Sequence, residues 1–134
     1  MVLCIFLAGS LMLSSLFVII TYNVLEVLLL ILASSGAGIG LLGLYNNSST
    51  MVEVSHYMLA ILIFSGLFIF NEIHNVIYLL IIITTTLISR LWFHRCLYLD
   101  YSRDMIIPDV GFNVYNVIFV KLILYCFYKL YWLL

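Results

Sequence analysis

VSHYMLAILIFSGLFIFNEIHNVIYLLIIITTTLI, residues 54–88, is the stretch that decides how many times this chain crosses a bilayer. A helix rises about 1.5 Å per residue, and a bilayer core is about 30 Å thick. The stretch is too long for one straight span and short for a pair. A polar cluster, Asn71-Glu72-Ile73-His74-Asn75, lies in its middle. Two short spans joined by a turn at 71–75 would each hold about 17 residues, the lower limit for crossing. One long tilted helix over 56–86, with Glu72 near mid-membrane, is the other reading. Residues 70–76 contain neither Gly nor Pro, the usual residues of tight turns, and this favours the single helix.

The rest of the chain is equally apolar. Of 134 residues, 66% are hydrophobic and 8% charged, with five Lys+Arg against six Asp+Glu and a formal net charge of −1. A soluble domain carries about 25% charged residues. This composition excludes a soluble enzyme, a nucleic-acid binder with its basic patch, and a disordered tail. It defines an all-α integral membrane protein. The first charge is Glu26 and the first basic residue is Arg90. A span needs about 20 apolar residues, so the run from Met1 to Tyr45 is two spans, about 2–21 and 24–45, broken at Thr21-Tyr22-Asn23. Asn46-Asn47-Ser48-Ser49-Thr50 is a loop signal. Residues 89–111 are polar, with Arg90, Arg95, Arg103, Asp100, Asp104, Asp109 and the only proline, Pro108. Residues 112–134 are a last apolar segment that spans or lies along the surface, with Trp132 and several tyrosines suited to the interface. The expected architecture is a three-helix core over 1–88, a polar loop over 89–111 and a C-terminal hydrophobic helix over 112–134, three to five spans in all.

Orientation follows from the basic residues. Three of the five fall in 89–111, which assigns that loop to the matrix or cytoplasmic side. With three core helices, Met1 then starts on the intermembrane-space side. The N-terminus has no basic n-region and is not Arg-rich, so it reads as neither a secretory signal nor a mitochondrial presequence. Synthesis inside an organelle or a bacterium fits that pattern. Cys4, Cys96 and Cys126 form no C-x-x-C and read as buried free thiols.

Glu72 is the first candidate for chemistry. At mid-membrane a carboxylate costs about 2.5–3.5 kcal/mol, and such groups mark proton or ion paths. Glu26 begins the second span, where it also suits the positive end of the helix dipole; Glu53, before the third span, has the same explanation. Ala33, Gly36, Gly40 and Gly43 share one face of that second span, a small-residue spacing for close helix packing that implies partner helices. His56 and His74 would lie about 27 Å apart along one helix and could not share a haem iron. No motif for a bound metal is present.

The turn Thr21-Tyr22-Asn23, and Tyr57-Met58-Leu59-Ala60-Ile61-Leu62 leading into Phe70-Asn71-Glu72, make residues 1–88 resemble chain 4L of respiratory complex I, subunit K in bacteria. That family has three helices, starts outside and carries membrane carboxylates in its second and third helices. The resemblance implies a divergent, mitochondrially encoded subunit of the proton-pumping NADH:ubiquinone oxidoreductase. Glu72 would be a proton-path carboxylate, with Glu26 a weaker candidate for the second. Its partners would be other hydrophobic subunits and lipid, never nucleic acid. It would bind no cofactor itself; ubiquinone would belong to the complex. His94 followed by Asp100-Tyr101 is similar to the quinone-proximal and haem-proximal motif of the succinate dehydrogenase membrane anchor. A non-catalytic accessory subunit of a respiratory complex is the third reading, and a Glu72 lying in a loop at the membrane surface would favour it.

Overall fold

The computed structural model describes residues 2–93 and 112–134. Five helices make up the described residues: α1 (Val2–Ile20), α2 (Val24–Tyr45), α3 (Ser49–Ile69), α4 (Ile73–Phe93) and α5 (Phe112–Leu133). Each is long and apolar enough to cross a membrane, so the chain is an all-α, multi-pass membrane protein. The chain turns at the expected break at 21–23, whereas the loop expected over 46–50 closes by residue 48, because Ser49 and Thr50 already belong to α3 behind the Ser48 cap. Asn23 caps α2, its side chain accepting from the backbone N–H groups of Leu25 and Glu26 at 3.0 and 3.5 Å. Ser48 caps α3 through the Met51 N–H at 3.4 Å. Asn47 carries the tight α2–α3 turn in the left-handed region (φ 52°), which Asn tolerates better than most residues.

The single tilted helix over 56–86 is not what forms. The chain breaks at Phe70, Asn71 and Glu72, so four helices rather than three precede residue 94, and Glu72 sits in a turn at a bundle end rather than at mid-span. The absence of Gly and Pro was misleading because this turn needs no left-handed residue: among the described non-glycine residues, Asn47 alone has positive φ. Its free backbone donors are satisfied from another helix, by the Glu26 carboxylate of α2. His56 and His74 consequently sit on separate helices.

Helix α2 is central, packed on α1 and α3; α4 packs on α5 and also touches α3 and α1. Lipid is as apolar as leucine, so close fit rather than exclusion from water holds such helices together. A main core joins Leu29, Leu30, Leu62, Ile63, Leu67, Phe70, Tyr78, Leu79 and Ile83. A second cluster, Leu3, Leu7, Ala37 and Val52, joins α1 to the α2–α3 end. Ser14 and Ser34 share a hydrogen bond of 2.8 Å between α1 and α2. At the far end of α4, buried Arg90 donates from Nε to Asn116 Oδ1 at 3.2 Å and lies 5.4 and 5.6 Å from the ring centres of Tyr115 and Phe119. Cys126 is buried, but Cys4 is exposed on α1, a correction to its reading as a buried thiol; an outward position in an apolar helix demands no burial.

The small-residue face of α2 seats α3. Ala33, Gly36, Gly40 and Gly43 are all buried. A Cβ on Gly36 would stand 3.0 Å from the Met58 Cβ, and one on Gly40 would stand 2.5 Å from the Ser55 hydroxyl and 2.8 Å from Leu7. At Gly43 it would meet the Val52 backbone nitrogen at 2.9 Å, which no rotamer change relieves. Gly38 faces open space. Gly43→Ala is therefore expected to destabilise the bundle by about 1–3 kcal/mol, whereas Gly38→Ala should be neutral or slightly stabilising. Thermal unfolding of the two variants in one detergent checks the contrast; equal midpoints would show that the seam is not tight.

Candidate functional site

Two of the polar clusters that interrupt the apolar chain, Thr21-Tyr22-Asn23 and Asn71-Glu72-Ile73-His74-Asn75, are brought together by the fold at one end of the bundle. The cause is an unmet demand for acceptors. The first N–H groups of a helix have no partner within it. Where packing of a membrane bundle covers them, they need acceptors from elsewhere.

Each helix supplies the other's. Glu26, in the first turn of α2, is fully buried and reaches across to α4. Its Oε1 accepts from the backbone N–H of Asn71 and, at 3.2 Å, from that of Glu72; its Oε2 accepts from Asn75 Nδ2 at 2.6 Å. In the opposite direction, Glu72 lies just before α4, and its Oε1 accepts from the backbone N–H groups of Tyr22 and Asn23, both at 3.0 Å, where α2 begins. The two carboxylates thus exchange helix starts, each set against the positive end of the other helix.

Between them runs a polar chain. With two hydrogens to give, the Asn75 amide nitrogen donates to Glu26 Oε2 and, at 3.1 Å, to Thr21 Oγ1. The reverse amide orientation would set its oxygen against the carboxylate, so this assignment is required. Thr21 in turn donates to the Phe17 carbonyl at 2.5 Å. His74 Nε2 lies 3.0 Å from Thr21 Oγ1 and 3.1 Å from Glu72 Oε2, with both His74 and Glu72 side chains partly exposed, at 29% and 22%. Phe17 meets the His74 ring edge-on at 5.8 Å and Tyr78 at 5.6 Å, closing the site from below.

Lys129 of α5 joins the same end. Its Nζ donates to the Leu67 carbonyl at 2.8 Å, one of the last carbonyls of α3, and it lies within range of the Glu26 charge. A cation on a helix C-terminus satisfies both the orphan acceptor and the dipole.

Both candidate carboxylates, Glu26 and Glu72, are therefore in one site, though in exchanged prominence: Glu26 is the buried centre and Glu72 the accessible rim. Thr21, Asn75 and Lys129 were not singled out from sequence. Two polar clusters in apolar runs carried the signal, because such groups must find one another inside a membrane protein. His94, Asp100 and Tyr101 lie outside the described residues. Among the described residues there is no group of His, Cys, Asp or Glu able to hold a metal ion.

Chemically, the site has two parts. Glu26 is held by backbone and amide donors, an arrangement that fixes helices. The Glu72–His74 pair is partly exposed at the end of the bundle. Asn75 separates the two, and an amide is a poor proton carrier. A search of family models found no match for this chain, and searches of curated proteins and of solved structures found none either.

Removing acceptor capacity from Glu26 should be costly. Glu26→Gln leaves one oxygen for donors that now occupy two and turns an amine toward the rest, for an expected loss of about 2–3 kcal/mol. Glu72→Gln keeps the oxygen that caps α2 and should cost less than half as much. Unfolding midpoints of the two variants in detergent micelles test the ranking; a Glu26→Gln protein as stable as wild type would refute the shared carboxylate.

Proposed function

We propose that this protein is a membrane-arm subunit of the proton-pumping NADH:ubiquinone oxidoreductase, respiratory complex I, in the mitochondrial inner membrane. The observation that carries the reading is the Glu72–His74 pair, an acid and an imidazole 3.1 Å apart and partly exposed at the end of an apolar bundle. The likeness of residues 1–88 to chain 4L supports this host complex, and the four helices over 2–93 depart from the three of the 4L family. The role assigned is proton exchange with neighbouring subunits at the Glu72 rim, while Glu26 holds the helices. NADH, iron–sulfur clusters and ubiquinone belong to other parts of the complex.

A second reading, a non-catalytic accessory subunit of a respiratory complex, is favoured by one observation: Glu72 is in a turn at a bundle end, not at mid-span. Glu72→Gln distinguishes the two, since it keeps the caps but removes the exchangeable group. Under the first reading the complex assembles and pumps fewer protons per electron; unchanged pumping leaves the accessory role. Native-gel separation of a mild-detergent membrane extract, with activity staining and mass identification of this chain, tests the host. Co-migration with the NADH-oxidising band is expected. Migration with the succinate-oxidising band would refute the proposal and favour the His94–Asp100–Tyr101 reading, and migration with neither would remove both.

The break at 70–72 supports the opposite topology to the one expected from three helices. The basic 89–111 segment still belongs on the matrix side. With four helices before it, Met1 falls on the matrix side too, and the carboxylate site faces the intermembrane space. In mitoplasts carrying the protein without its native cysteines, an impermeant maleimide should label Tyr22→Cys and not Asn46→Cys. Both positions lie in exposed turns at opposite ends of α2. The opposite labelling pattern would restore the three-helix orientation.

A further inference from the structure

Helix α5 has two faces of different character. The inner one carries Cys126, fully buried, and Lys129, bound to α3. The outer one carries Val117, Lys121, Leu124, Tyr128 and Tyr131, all exposed. These follow the alternating three- and four-residue steps of a helix-packing seam. Lys121 lies nine residues after Phe112 and twelve before Leu133, about 14 and 18 Å along the axis from the two helix ends.

A cation at that depth on an outward face is expensive, and such groups normally pair. Among the described residues nothing hydrogen-bonds Lys121. The carboxylates of the described residues are engaged elsewhere: Glu26 and Glu72 hold each other's helix starts, and Glu53 accepts from the Tyr57 hydroxyl at 3.0 Å. None lies on an outward face at mid-span, so a second copy of this chain offers no complementary charge from them.

We infer that the outer face of α5 binds a transmembrane helix of another protein that carries an Asp or Glu carboxylate at the depth of Lys121. The charge demands an acidic partner, and the seam spacing demands a helix running alongside. Tyr125, Tyr128 and Trp132, in a tilted and a T-shaped contact with ring centres 6.4 and 6.1 Å apart, extend an aromatic surface toward the α5 C-terminus. The inference holds whichever complex hosts the chain.

The test uses native membranes. The membrane-permeant dicyclohexylcarbodiimide joins an amine to a carboxylate in contact with it. Peptide mass spectrometry should find Lys121 linked to an Asp or Glu within an apolar segment of a different protein. Lys121→Leu, which inserts into lipid more readily than lysine, should lower the fraction of chain in its native-gel assembly about tenfold, and Lys121→Arg should stay within about twofold of wild type. Full assembly of Lys121→Leu would overturn the proposal, because the lysine then reaches the lipid surface alone. A link from Lys121 to an acid of this same chain would overturn it too. Failure of the complex I reading is separate, since it changes which band carries the chain and not whether Lys121 is needed to enter it.

Discussion

Unpaired N–H groups at helix starts are the constraint on which this bundle depends. In water such groups are solvated; where packing of a membrane bundle covers them, a protein acceptor takes the place of water. Here two starts, those of α2 and α4, meet and are completed by carboxylates exchanged between them, Glu26 to the Asn71 and Glu72 amides and Glu72 to the Tyr22 and Asn23 amides. The exchange explains three otherwise separate facts. Glu26 can be fully buried. The α3–α4 turn can dispense with glycine. And α4 is tied to α1 and α2, which it touches less extensively than α5.

From that anchor the remainder of the packing follows. Glu26 lies on the same face of α2 as Leu30, Ala33, Gly36, Gly40 and Gly43, so holding it in place presents the small-residue seam to α3. Close approach along the seam places Phe70 in the main core, beneath the turn that Glu26 caps. The C-terminal end of α3 then offers its last carbonyls to Lys129, which fixes α5 at this end while Arg90 and Asn116 fix it at the other. Ionisable groups at the two ends therefore place α5, and its middle remains free on the outside.

Much of the fold was legible in the sequence. Apolar runs and the length of a span sufficed for α1, α2 and α5, and the polar run at 46–50 located the α2–α3 turn, although α3 begins inside that run at Ser49. The small-residue face was legible because its spacing is local. The break at 70–72 was not. A rule about turn residues describes turns that satisfy themselves, whereas this one is satisfied by Glu26, 45 residues earlier in the chain. The pairing of Glu26 with α4 was hidden for the same reason: each acid has an adequate local explanation, Glu26 as a helix-start residue and Glu72 as a membrane carboxylate. Only the coincidence of two polar clusters, 21–23 and 71–75, in a chain with so few polar groups pointed to a shared site.

The misplaced turn has a consequence larger than its size. Helix count sets parity, and parity converts a charge bias in one loop into an orientation for every other segment. Three core helices and four assign opposite sides to the same N-terminus under the same positive-inside rule. They also assign opposite surroundings to Glu72, membrane interior in one case and a wet rim in the other. The surroundings of that carboxylate thus depend on a turn held by a side chain in another helix. In a chain with eleven charges in 134 residues, one acid at position 26 ties the start of α4 to α2 and so helps to set the helix count on which any such orientation rests.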